Sequence, residues 1–205
     1  MDCFRTGEHK LSKQIGILGG SFDPPQLGHI LLVEAAISQL KLDHLIIVPA
    51  RVSPFKVGKT ITPAEHRLKM CQLAYPNFEV SDFEVNHPGV SYSVDTLEHF
   101  KSIYDGDFWL IGGSDLISGL PSWHRIEDMA RMCKFAIFHR PGYDNTPSTG
   151  NLPEFLQSSI ELLESEKAFP KLSSTAVRTG EVDRSIALTP SVHEYIRENG
   201  LYVID

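Results

Sequence analysis

At 205 residues, the chain is long enough to bury one sizeable core. Its formal charge of −7, from 19 Lys and Arg against 26 Asp and Glu, leaves no basic block for a nucleic-acid backbone. No apolar run approaches the ~20 residues that span a bilayer, and the polar first dozen residues lack the hydrophobic segment of a secretory signal. Residues 1–13 read as a flexible leader and 14–205 as a single domain. Cys3, Cys71 and Cys133 are far apart and odd in number, giving neither a zinc spacing nor a disulfide framework. They suit the reducing cytoplasm, and no structural metal is expected.

In chain order, the apolar run from Ile15 to Leu18 has the character of a buried parallel strand. Gly19 and Gly20 follow, where the backbone can turn sharply or let a ligand approach. Asp23-Pro24-Pro25 then enforces a non-helical turn. A helical pattern starts near Gly28, with apolar residues at Ile30, Leu31, Val33, Ala36, Ile37 and Leu40. This strand, glycine turn and helix start form an anion-binding arrangement, with His29 on the first helical turn. Residues 44–49 read as a second buried strand. The resulting right-handed βαβ unit makes a parallel sheet the economical architecture.

The loop 50–60 is basic, with Arg51, Lys56 and Lys59. Its place beyond a strand's carboxyl end favours ligand contact, whereas lysines in most loops are solvated surface charges. Thr62-Pro63-Ala64-Glu65 predicts a helix opened by a threonine cap, a first-turn proline and a capping-box glutamate. Residues 78–85 alternate as a strand would, and 91–97 lead into another helix. Residues 108–111 form a further strand, followed by Gly112-Gly113-Ser114-Asp115. Asp115 suits either a ribose hydroxyl or a helix cap. Trp123 is either core or a platform for a flat heterocycle.

Residues 134–139 are another strand, ended by Arg140-Pro141-Gly142-Tyr143. Residues 144–151 have a loop composition, and the last strand is expected at 159–163. In Ser173-Ser174-Thr175-Ala176-Val177-Arg178, hydroxyls precede an arginine at a helix start. The arrangement serves a phosphate, or a plain cap with a surface arginine. Thr189-Pro190 opens a terminal helix that Asn199-Gly200 closes.

Gly19-Gly20-Ser21-Phe22-Asp23-Pro24, followed by Gly28-His29, resembles the signature of the nucleotidylyltransferase superfamily. Ser91-Tyr92-Ser93, Gly113-Ser114-Asp115, Leu120-Pro121-x-Trp123, Arg140-Pro141-Gly142-Tyr143 and the Ser173–Arg178 block resemble its nicotinate-nucleotide adenylyltransferase branch. The resemblance implies an α/β, Rossmann-like doubly wound parallel sheet with a small C-terminal helical part. It implies transfer of AMP from ATP to nicotinate mononucleotide in NAD biosynthesis, with Mg2+ accompanying ATP and no tightly bound cofactor. Gly19, Gly20, Ser21 and Phe22 would meet the nucleotides through backbone, and His29 would hold phosphate. Gly113 and Asp115 would meet the adenosine ribose. Ser174, Thr175, Arg178 and Lys56 would cradle the triphosphate. Ser93, Trp123 and Arg140 would serve the mononucleotide.

Gln26 stands where the family's motif has its first histidine, and is expected to keep a catalytic orienting role without the charge. Phe55 stands where relatives often have histidine. The same residues admit a related adenylyltransferase acting on nicotinamide mononucleotide or another phosphate, or a catalytically weakened nucleotide sensor. No nucleic-acid or membrane partner is expected, and self-association is left open.

Overall fold

The computed structural model describes residues 12–139, 149–164 and 172–203. Strand β1 (Gln14–Gly20) leads into helix α1 (Leu27–Leu40), then β2 (His44–Pro49), α2 (Ala64–Ala74) and β3 (Glu79–Val80). Next come α3 (Phe83–Asn86), α4 (Ser93–Ile103), β4 (Asp107–Gly113), α5 (Ile126–Met132) and β5 (Cys133–His139). Helix α6 (Glu154–Ser159), β6 (Ile160–Glu164) and the C-terminal helices α7 (Ser174–Thr179), α8 (Arg184–Ala187) and α9 (Pro190–Glu198) complete the order.

Among the described residues, six strands make one parallel sheet in the order β3-β2-β1-β4-β5-β6. Strand order reverses between β1 and β4, which opens a crevice beyond their carboxyl ends. The two-residue period of the strands divides the core into two layers. Ile15, Ile17, Ile46, Val48, Phe108, Leu110, Phe135 and Ile137 face a layer that contains Val94, Leu97, Phe100, Met129 and Leu156 from the helices. Leu18, Leu45, Ile47, Trp109, Ile111, Ala136 and Phe138 face the other, with Leu32, Val33, Ala36 and Leu40 of α1. Gly16 is a glycine for packing reasons: an added Cβ would lie 2.7 Å from Leu42 and 2.8 Å from Ile111.

A third cluster joins Met70 of α2 to Leu172, Val177, Val192 and Ile196. Its neighbour Cys71 packs in the second layer, so α2 bridges the sheet and the C-terminal helices. Among the described residues, no helix is long and apolar enough to cross a membrane.

Three local expectations need correction. Residues 78–85 do not form one strand: β3 is two residues long, and the chain turns into α3 at Phe83. A buried edge position for Glu84 is met by a helical turn that carries its carboxyl inward. Helix α2 lacks a threonine cap; Pro63 occupies the cap position with no side-chain bond, and the Thr62 carbonyl is taken by Arg67. The last strand begins at Ile160, because Ser159 closes the short helix α6.

Candidate active site

The crevice is built first from the turn after β1. Gly19 and Gly20 end the strand, and the Ala50 amide donates to the Gly20 carbonyl at 2.8 Å, joining this turn to the loop after β2. An added Cβ at Gly19 would meet nothing within 4 Å, so its backbone borders open space. At Gly20 a Cβ would come within 3.2 Å of the Phe22 ring. Phe22 has φ of 47°, in the left-handed region that favours glycine, and its ring is buried. It stands edge-on to His29, with centroids 5.2 Å apart, and holds the turn from beneath.

Arg67 of α2 fixes the same turn from within. Its guanidinium is fully buried and donates to the carbonyls of Ser21 at 2.7 Å, Ala50 at 2.6 Å, Arg51 at 2.8 Å and Thr62 at 2.8 Å. A planar fork of five donors suits several carbonyls at once, as an ammonium cannot. Burial lowers the Arg67 pKa, while Asp23 raises it. Asp23 is itself 1% exposed, accepts from the Tyr202 hydroxyl at 2.8 Å, and lies 3.7 Å from Arg178. Burial pushes the Tyr202 phenol pKa well up, and the bond to Asp23 adds to it. The Asp23-Pro24 peptide is cis.

Gln26 caps α1. It is 2% exposed; its side-chain oxygen accepts from the Gly28 amide, and its side-chain nitrogen donates to the Leu172 carbonyl at 3.5 Å. The Gln26 amide donates to His29 Nδ1 at 3.1 Å, completing a reciprocal capping box. Nδ1 is thereby the acceptor, so the neutral ring carries its proton on Nε2. The His29 amide bonds the Gln26 carbonyl at 2.8 Å. The expected anion-binding amides of this helix start are therefore largely taken by Gln26. The donors left to a ligand are side chains and the preceding turn.

The C-terminal turn reaches the same loop. Ser173 caps α7 through the Ala176 amide, while the Ser174 hydroxyl donates to the Pro24 carbonyl at 2.9 Å. Arg178 donates to the Asp23 carbonyl at 2.6 Å and to the Thr175 hydroxyl at 3.2 Å. Lys56, in the turn Pro54–Lys56, completes the group. Partial burial lowers its pKa, Asp23 opposes that, and the charges of Arg178, Arg67 and Lys59 lower it further. Lys56, Arg67 and Arg178 thus act around one carboxylate, leaving the crevice locally positive in an acidic protein.

Beside this group lies a cavity of about 400 Å3, lined by Gly19, Gly20, Ser93, Trp123 and His124 among others. Ser93 is the first residue of α4, and Trp123 follows a short turn that presents its ring at the mouth. Glu84 also lines the cavity. Burial raises its pKa, partly offset by hydrogen bonds from the Thr96 and Ser91 hydroxyls. The Ser91 hydroxyl in turn accepts from the Arg51 amide at 2.9 Å. Gly113 ends β4 at the same edge of the sheet, and Asp115 is exposed in the turn that follows. Arg140 lies outside the described residues.

The structure therefore brings Gly19, Gly20, Ser21, Phe22, His29, Lys56, Ser174, Thr175 and Arg178 around one loop, with Ser93 and Trp123 at the adjoining cavity. Gln26 and Ser174 direct their side chains to the protein's own backbone. Sequence reasoning missed Arg67, Glu84, Asp23 and Tyr202 as organisers of the site. Nothing local set Arg67 apart from its polar neighbours Glu65, His66 and Lys69, and Glu84 stood out only in lying between Phe83 and Val85.

A family model described as cytidylyltransferase-like matches residues 17–180. An Oceanobacillus iheyensis protein named "Probable nicotinate-nucleotide adenylyltransferase" is 36% identical over 197 residues, covering 93% of this chain and 97% of that protein. The nicotinate-nucleotide adenylyltransferase of Bacillus subtilis is 32% identical over 198 residues, covering 93% and 98%. Among solved structures, the Plasmodium falciparum nicotinic acid mononucleotide adenylyltransferase complexed with NaAD superposes with a TM-score of 0.72 at 26% identity, covering 94% of this chain and 98% of that one.

Proposed function

The chain belongs to the cytidylyltransferase-like family, among its nicotinate-nucleotide adenylyltransferases, and we propose that it joins nicotinate mononucleotide to the AMP part of ATP, releasing pyrophosphate. The observation that carries the reading is the docking of Ser174 and Arg178 on the Asp23-Pro24 loop, at the reversal point of the sheet and beside an aromatic-lined cavity. A triphosphate needs cations on one side and backbone approach on the other. Arg178 and Lys56 supply the first, and the turn from Gly19 to Phe22 supplies the second.

In this reading, a phosphate oxygen of the mononucleotide attacks the α-phosphorus of ATP. A new P–O bond forms as the bond to the bridging oxygen of pyrophosphate breaks, and pyrophosphate leaves with the electron pair. The attacking phosphate is already ionised near neutral pH, so no strong general base is required. Alignment of attacker and leaving group, together with donors for the developing charge, supplies the acceleration. His29 donates from Nε2 to phosphate oxygen. Arg178 and Lys56 hold the β- and γ-phosphates, with Thr175 beside them. Gly113 and Asp115 take the adenosine ribose, while Ser93, Trp123 and Arg140 take the mononucleotide.

Mg2+ fits this site as an ion delivered on the phosphates. Among the described residues, no three His, Cys, Asp or Glu side chains converge, and the Asp23 carboxylate is engaged by Tyr202 and Arg178. Bound to the phosphates, the ion would neutralise charge on the leaving group.

The test measures pyrophosphate and dinucleotide formation from ATP with nicotinate mononucleotide, and with its amide counterpart in parallel. Product formation with the nicotinate form is expected. ATP binding without product from either would overturn the enzymatic reading in favour of a nucleotide sensor.

A further inference from the structure

Phe55 is a large apolar side chain that the fold leaves 58% exposed. A single exposed apolar ring is ordinary in itself. This one lines the cavity mouth and faces Trp123, with ring centroids 6.4 Å apart and planes tilted by 52°. Phe55 sits in the turn Pro54–Lys56, which the Lys56 amide closes onto the Ser53 carbonyl at 2.8 Å. Trp123 is held on the opposite side by its amide, bonded to the Leu120 carbonyl at 3.0 Å. The two rings thus come from separate, independently anchored turns.

A flat ring held between two others needs about 7 Å between the outer planes, two contacts of roughly 3.5 Å. With centroids 6.4 Å apart and planes tilted by 52°, the two rings are not parallel, and rotation of Phe55 about its side-chain bonds from an exposed position must supply both the parallel setting and the added space. We propose that Phe55 is the second wall of the pyridine subsite, closing on the ring face opposite Trp123. This rests on the function proposed above. The ring of a pyridine mononucleotide is quaternised at nitrogen and carries positive charge there. Two neutral aromatic faces attract such a ring through their quadrupoles as well as by contact. Phe55 therefore selects for a cationic, flat heterocycle over neutral phosphorylated substrates.

The pyridine is remote from the reacting phosphorus, so Phe55 acts on mononucleotide binding and not on the chemical step. In Phe55→Ala, the KM for nicotinate mononucleotide should rise about tenfold, as loss of one desolvated cation–π contact implies. The KM for ATP and kcat should stay within about twofold of the parent. Phe55→His gives a sharper test, because a protonated imidazole repels the pyridinium. Its mononucleotide KM should climb as pH falls through about 6.5, beyond any change in the parent enzyme. Quenching of Trp123 fluorescence by the mononucleotide should move to higher concentration in both variants, with Trp123→Phe identifying the signal against the buried Trp109.

An unchanged mononucleotide KM in Phe55→Ala overturns this proposal, as does an equal rise in the KM for ATP. So does a Phe55→His profile parallel to that of the parent. Failure of the parent protein to form product from nicotinate mononucleotide overturns the proposed function instead, so the two failures are distinguishable.

Discussion

Arg178 donates to the carbonyl of Asp23 at 2.6 Å, although 155 positions separate them in the chain. The bond joins the glycine turn after the first strand to the hydroxyl-bearing turn near the end, and both border one crevice. The same guanidinium lies 3.7 Å from the buried Asp23 carboxylate. In the proposed function, phosphate binding and loop positioning would meet in this single side chain.

Removing that side chain should harm both roles. For Arg178→Ala, kcat/KM for ATP should fall by about 10- to 100-fold, the loss of one or two charge-assisted hydrogen bonds worth roughly 1.5–3 kcal/mol. Arg178→Lys keeps the charge without the fork and should recover only part of the loss. Steady-state kinetics with ATP varied would decide this, and parent-like rates in the alanine variant would remove Arg178 from the site.

Arg67 serves the turn without touching bulk solvent. Replacing it with methionine fills most of the volume but leaves four carbonyls without their donor. We expect a loss of about 3–5 kcal/mol in unfolding free energy, measured by urea denaturation. Arg67→Lys should also be destabilised, because one ammonium cannot reach carbonyls of two loops in the same geometry. A methionine variant as stable as the parent would show that other donors replace the guanidinium.

Gln26 offers a way to separate capping from charge. Gln26→Ala should lose about 1 kcal/mol of stability with the cap, while the backbone N–H of position 26 still donates to His29 Nδ1 and keeps its tautomer. In Gln26→His, an imidazole can accept from Gly28 and donate toward Leu172, so stability should be kept. Only the protonated imidazole, which gives up the Gly28 acceptor, would add positive charge beside the phosphates; in that form kcat should rise by up to about tenfold, most at acid pH. An unaltered kcat would confine position 26 to its structural work.

Glu84 gives a pH dependence with a definite sign. Burial raises its pKa in the folded protein above the ordinary 4.5, so folding takes up a proton there. Its contribution to stability is then fully present below about 4.5 and is lost as pH rises through the folded value. Glu84→Gln keeps an acceptor for the Thr96 hydroxyl and removes the titration. The difference in unfolding free energy between parent and variant, followed by urea denaturation from acid to neutral pH, should favour the parent most in acid and decline upward. A flat difference would mean that Glu84 titrates alike in both states.

What the sequence determined by itself was local. Apolar runs marked β1, β2, β4 and β5, since a strand buried on both faces must be apolar throughout. Glycines, prolines and capping hydroxyls marked the turns, because few residues tolerate those backbone angles. The family motif pointed to Gly19, His29 and Arg178 as parts of one site, without saying how they meet. Only the tertiary structure decided that Gln26 turns inward to Gly28 and Leu172, that Arg67 of an amphipathic helix is its most buried charge, and that Glu84 leaves the expected strand for the cavity wall. Periodicity reports which side of an element is apolar, but not which other element covers it. A polar side chain buried by distant loops therefore has no signature in its own neighbourhood.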